Sequence, residues 1–170
     1  MTPKSYTPGR RPPVLSPLVR NRGSGDMFPY FGAELERVIA RSETYDALNV
    51  LRLELTPDGS PPLHVHERED ETWVVVSGEV KFWTGGDTLG ACDTAILGAG
   101  GVAYGPRLVP HTFQTHTPTA EVLIITTPGY FEDHMVAIGT TADSVVTNTA
   151  EEIAKFGVRV LDRPPVFGRD

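Results

Sequence analysis

The chain has 170 residues and a formal net charge of −7, with 39% hydrophobic and 22% charged residues, the balance of a globular protein with room for one sizeable core. Its acidity repels phosphate backbones, which excludes nucleic acid as a partner, and no apolar run approaches the ~18 residues of a membrane span, so no membrane partner is expected. Cys92 is the only cysteine and there is no apolar secretory segment, which points to the cytoplasm. Neither Asp93 nor Thr94 offers Cys92 an activating base, so it is not expected to be a nucleophile.

Residues 1–22, rich in Pro, Arg and Ser, read as an irregular N-terminal arm, and residues 23–170 as one domain. Met27 to Val38 mixes Phe28, Tyr30 and Phe31 with charges and carries no clear period; Gly32 suggests a turn into a first strand. From Leu48 the pattern sharpens. Leu51, Leu53 and Leu55 alternate with Arg52 and Glu54, the period of a half-buried strand. Short extended segments follow at Leu63–His66, Glu71–Ser77, Val80–Thr84, Thr94–Leu97, Val102–Tyr104, His111–Thr115 and Val122–Thr126, separated by Gly- and Pro-containing turns. Such a series predicts an all-β sandwich or small barrel with its core over about 45–128. The tail, about 129–170, is expected to be helical: Phe131 to Ile138 closed by Gly139, then Ala150 to Phe156, with Thr149 and Glu152 at capping-box spacing and Gly157 as the terminating residue.

The chemistry concentrates in His64-Val65-His66-Glu67-Arg68-Glu69-Asp70-Glu71. Residues i and i+2 of a strand share a face, so His64 and His66 project side by side and can grip one cation. Glu71 opens the next strand after a polar turn that can return its carboxylate to them, and His111 opens a later strand as a fourth candidate. Three imidazoles and one carboxylate suit Fe, Mn, Ni, Co, Cu or Zn. Taken singly these residues have plainer readings: surface histidines, and an acidic loop of Glu67, Glu69, Asp70 and Glu71 in solvent.

The stretch Gly59 to Gly78 resembles the first motif of the cupin family: a Gly, then His64-x-His66, then Glu71 after four residues, then Gly78 after six. Gly100, Pro106 and His111 resemble the second motif, with an intermotif segment from Glu79 to Ala99. Gly59 lies one residue closer to His64 than is usual, Leu108 stands where the second motif has Gly, and Thr115 where it has Asn. The resemblance implies a single-domain double-stranded β-helix, or jelly-roll barrel, with short C-terminal helices. It further implies one divalent metal ion held by His64, His66, Glu71 and His111, and a homodimer. Asp70-Glu71-Thr72-Trp73-Val74-Val75, the Val76-Ser77-Gly78-Glu79 turn and Val109-Pro110-His111-Thr112-Phe113 are similar to bacterial quercetin 2,3-dioxygenase-like cupins. That likeness implies a dioxygenase of an aromatic, phenolic or polyketide-like small molecule, with O2 as co-substrate and Glu71 as catalytic base. Alternatives are a redox-neutral isomerase or cyclase of aromatic polyketide synthesis, and a non-catalytic ligand-binding cupin.

If the four residues point into the barrel, strand parity adds Trp73 and Val75 to the face of Glu71, and Phe113 and Thr115 to that of His111, as a substrate pocket. Trp73 and Phe113 serve equally well as plain core. Phe28, Tyr30 and Phe31 are placed to cap the barrel mouth, and Arg107 to pair with the Glu67–Asp70 cluster. His116 falls on the opposite strand face from His111, and both His116 and His134 are expected to be exposed. The glycines at 98, 100, 101 and 105 read as turn formers.

Overall fold

The structure, a computed structural model, describes residues 15–30, 33–139 and 150–169. In chain order its strands are β1 (Asp26–Tyr30), β2 (Ala33–Ile39), β3 (Asn49–Leu55), β4 (Leu63–His66), β5 (Asp70–Ser77), β6 (Glu79–Thr84), β7 (Asp93–Gly98), β8 (Val102–Gly105), β9 (His111–Thr115), β10 (Ala120–Thr127) and β11 (Val158–Asp162). Among the described residues two α-helices, α1 (Glu132–Gly139) and α2 (Ala150–Ala154), lie between β10 and β11. The strands form two antiparallel sheets, ordered β1-β2-β3-β10-β5-β8 and β11-β4-β9-β6-β7. This is the expected jelly-roll with short C-terminal helices.

Alternation decides which faces meet. Leu51, Leu53 and Leu55 of β3 are at most 1% exposed, while Arg52 and Glu54 turn outward. Val122 and Ile124 of β10 and Trp73 and Val75 of β5 continue the inner face of the same sheet. Val80 and Phe82 of β6 and Phe113 of β9 supply it from the other sheet. Each such side chain contributes about 1.5–3 kcal/mol on leaving water.

The sheet begins earlier than the alternation suggested, because β1 and β2 form a hairpin that adds to β3. The tail also departs from a purely helical reading. Helix α1 starts at Glu132, after a 3-10 turn at Gly129–Phe131, and α2 ends at Ala154, followed by Gly157 at φ +79. Then β11 pairs with β4, Val158 opposite His66 and Val160 opposite His64. Its Val-Arg-Val alternation is short, and it becomes a strand because β4 would otherwise present an open sheet edge. Thr149, and with it the capping box, lies outside the described residues, as do residues 1–14 and Phe31. In residues 15–22 no strand or helix forms; there Arg20 pairs with Glu43 and donates to the Val38 carbonyl, and Arg22 pairs with Glu121.

Candidate metal centre

His64 and His66 project from one face of β4, and His111 at the start of β9 sits directly opposite His64 in the ladder. Glu71 comes from β5 in the facing sheet. Three imidazoles from one sheet thus meet a carboxylate from the other. Their ligand atoms lie within 4.8 Å of one another. His64 Nε2 is 3.1 Å from His66 Nε2, and Glu71 Oε2 is 3.1 Å from His66 Nε2 and 3.2 Å from His111 Nε2. Metal–ligand bonds of about 2.0–2.2 Å put neighbouring ligand atoms about 2.9–3.4 Å apart, so the observed spacing fits a first-row divalent ion. All four residues are at most 6% exposed. The other ring nitrogens of two histidines are anchored: His64 Nδ1 lies 2.8 Å from the Pro62 carbonyl and His111 Nδ1 3.0 Å from that of Val109.

Burial, reinforced by His111 and His66, holds His64 well below the ordinary imidazole range. Burial also opposes charge on His66, but Glu69 and Glu71 outweigh it and push its pKa up to about 9. For Glu71, burial disfavours the charged form, yet His111 and His66 override it and hold the carboxyl well below the usual carboxylate range. The cluster therefore favours a carboxylate facing a cation, a charge arrangement that suits a metal ion as well as a proton.

The residues expected to line a pocket separate into distinct environments. The Trp73 ring stands edge-on to His111 at 5.0 Å, and Phe113 and Phe82 pack behind it edge-on and tilted, at 6.0 and 5.6 Å. Val75 is 1% exposed, deeper in the core. Thr115 is buried at the other end of β9, where its hydroxyl donates to the Thr117 carbonyl and is committed to a turn. Tyr30 is buried, and burial together with the Glu71 charge raises its hydroxyl well above the ordinary range, so it lies near the cluster, whereas Phe28 packs at the core's margin.

His134 corrects an expectation of exposure. It is 6% exposed, between Phe131 and Phe156, and Phe131 packs edge-on against His66 at 4.4 Å. Burial, with His66 adding to it, lowers the His134 pKa to about 4. His116 is exposed as expected. Glu69 also departs from the solvated-loop reading: Glu67 and Arg68 are exposed but Glu69 is 0% exposed. No local pattern in the polar run marked it out. Gly105 is not a turn former but the last residue of β8; a Cβ there would come within 3.0 Å of both His111 Nδ1 and the Trp73 ring. Leu108, standing where the family has Gly, adopts φ +67 and donates its N–H to the His66 carbonyl. Arg107 grips Asp70 through its backbone N–H, Nε and Nη2 at 2.9–3.0 Å, which brings the Asp70 pKa down to about 2. Cys92 donates to the Gly86 carbonyl, and burial, with nearby aspartates, pushes its thiol up, against a nucleophilic role.

Residues 51–127 match the family model for the cupin domain. The chain is 33% identical over 81 residues to quercetin 2,3-dioxygenase of Aspergillus japonicus, covering 46% of this chain and 22% of that protein. It is 24% identical over 124 residues to quercetin 2,3-dioxygenase of Bacillus subtilis (strain 168), covering 72% of this chain and 35% of the relative. The matches thus span about a fifth to a third of these relatives' lengths. Among solved structures, an oxalate decarboxylase variant of Bacillus subtilis superposes with a TM-score of 0.56 at 21% identity, covering 85% of this chain and 38% of that one. The polyketide cyclase RemF of Streptomyces resistomycificus gives 0.52 at 24% identity, covering 66% and 80%. These two share the fold. No helix among the described residues is long and apolar enough to cross a membrane. Residues 51–127, which match the cupin domain model and lie in a jelly-roll of two facing antiparallel sheets, thus form a cupin domain that resembles the quercetinase-like cupins.

Proposed function

We propose that the chain is a metal-dependent dioxygenase of quercetinase type, acting on an aromatic, phenolic or polyketide-like small molecule. The observation that carries this reading is the buried set of His64, His66, Glu71 and His111, with ligand atoms within 4.8 Å, beside the aromatic cluster of Trp73, Phe82 and Phe113. Similarity to two quercetin 2,3-dioxygenases supports the reaction class. A divalent ion of iron, nickel, manganese, cobalt, copper or zinc, when bound, supplies Lewis-acid polarisation of a substrate oxygen. His64, His66 and His111 would hold it, with their Nε2 atoms gathered beside Glu71. Glu71 Oε2, between two of those nitrogens, accepts the proton of the substrate hydroxyl as general base. The electron-rich ring so produced is the partner of O2, whose two atoms enter the product. Trp73 orients the ring and keeps water from it. The resemblance also supports a homodimer, and the single cysteine supports a cytoplasmic setting.

The test is metal content of the purified protein together with oxygen uptake on flavonols and related phenols. The expected result is about one equivalent of metal per chain, absent in His66→Ala, and O2 consumption that falls by about 10²-fold or more in Glu71→Gln while most of the metal stays bound. Wild-type turnover in Glu71→Gln rejects the base assignment. Turnover without O2 consumption reassigns the chain to redox-neutral isomerase or cyclase chemistry on the same residues, and metal binding without turnover to a binding module.

A further inference from the structure

We propose that Glu69 is a positioning residue of the metal centre: its carboxylate accepts a hydrogen bond from the Nδ1–H of His66, fixing that imidazole with Nε2 toward the ion, and completes the charge balance of the site. The inference rests on the metal-binding reading above. It starts from a difference between the three histidines. His64 and His111 each have a backbone carbonyl at hydrogen-bond distance from Nδ1. His66 does not; its Nδ1 is buried without a hydrogen-bond partner. Both oxygens of Glu69 are likewise buried without one, and the residue is 0% exposed. These two groups face each other, with His66 Nδ1 3.6 Å from Glu69 Oε2. That separation exceeds a hydrogen bond by a few tenths of an ångström, and in the proposed arrangement the two groups close it when the ion is bound.

Chemistry gives the pair its direction. A histidine that ligates through Nε2 as a neutral imidazole must carry its proton on Nδ1, and an acceptor there sets both tautomer and ring orientation. Charge adds a second argument. Three neutral imidazoles and the Glu71 carboxylate leave a bound dication with one uncompensated positive charge, in a place shielded from water. The Glu69 carboxylate removes it, and the ion in turn gives Glu69 the compensation that no described hydrogen-bond donor supplies. Glu67 of the same acidic run points to solvent and has no such role.

The test compares Co2+ affinity, by competition with a chromophoric chelator, in wild type, Glu69→Ala, Glu69→Gln and Glu67→Gln, alongside the visible absorption of bound Co2+ and the melting temperature of the metal-free proteins. Glu69→Ala is expected to weaken Co2+ binding by about 10–100-fold and to shift its absorption bands, with no loss in metal-free melting temperature. Glu69→Gln, which keeps an acceptor but loses the charge, is expected to fall between Glu69→Ala and wild type, and Glu67→Gln to match wild type. Affinity and spectrum in Glu69→Gln and Glu69→Ala equal to wild type overturn the inference; if Glu69→Ala does not fold, the Gln variant alone decides. A wild-type protein that binds no Co2+ overturns the metal-binding reading itself, and the inference with it.

Discussion

Two groups of buried glutamates in this protein resemble each other in type and burial and differ in their partners. On the outer face of the six-stranded sheet, Glu36 and Glu121, 3% and 4% exposed, flank Arg52: its Nε is 3.1 Å from Glu36 and its Nη1 2.7 Å from Glu121, and Arg22 adds a second cation on Glu121. Inside, Glu69 and Glu71, 0% and 3% exposed, face only imidazoles in the pairs that are described. A guanidinium is permanently charged, so the outer acids are compensated at every accessible pH and fasten β2, β3 and β10 together. An imidazole is charged only when protonated, so the inner acids are compensated conditionally, by a proton or by a metal ion. Burial alone does not separate structural acids from chemical ones; the permanence of the partner's charge does.

The largest test of this contrast is ligand-linked stability. A divalent ion at about 1,000 times its dissociation constant is expected to stabilise the fold by about 4 kcal/mol, roughly 8–16 °C in melting temperature by scanning calorimetry. In His66→Ala that shift should vanish; an undiminished shift there places the ion away from the inner acids. Next, Arg52→Met leaves Glu36 with backbone N–H donors but no cation and Glu121 with the mostly exposed Arg22 alone, and should cost about 2–3 kcal/mol in urea unfolding at pH 7, with metal affinity unchanged. A change in metal affinity would mean that the two groups are coupled.

Acid titration sharpens the contrast further. His134 has a folded pKa of about 4, below the ~6.5 of an unfolded histidine, so the unfolded chain takes up the proton first. Its neutral burial stabilises fully above pH ~6.5, and about 2–3 kcal/mol is lost as pH falls from there toward 4. Replacing it by Phe should flatten unfolding free energy over that window, measured by urea titration at a series of pH values. The smallest effect concerns Glu36, whose pKa is lowered: burial opposes its charge, but the Gly25 and Gly23 N–H groups and Arg52 outweigh that. Its contribution is present above the unfolded carboxylate range and lost as pH falls through the lower folded value. Glu36→Gln should therefore cost about 1 kcal/mol at pH 7, and the difference should disappear in acid.

How far each feature was legible followed its range along the chain. The alternation of Leu51, Leu53 and Leu55 and the i, i+2 placement of His64 and His66 are local, and both appear in the structure as the sequence implied. Leu108 shows a family glycine position through its φ of +67, although the residue type hid it. Strand β11 was obscured because a five-residue segment after a helix signal has too few positions to establish a period, and its state depends on the edge of β4, about ninety residues away in the chain. Thr115 passed the parity test and still lies at the wrong end of β9, since parity specifies a face and not a depth.

By itself, the sequence determined the all-β class, the inward faces of the main strands and the shared face of His64 and His66, because these follow from a strand's period of two; Glu71 and His111 joined them as candidate ligands through the resemblance to the two cupin motifs. Only the tertiary structure decided that Glu71 meets the histidines from the opposite sheet, that Glu69 is enclosed while Glu67 is not, and that His134 is buried between Phe131 and Phe156. The reason is physical: enclosure depends on what packs over a residue from distant parts of the chain, and the charge partner left to a buried acid is settled by that packing and not by its neighbours in sequence.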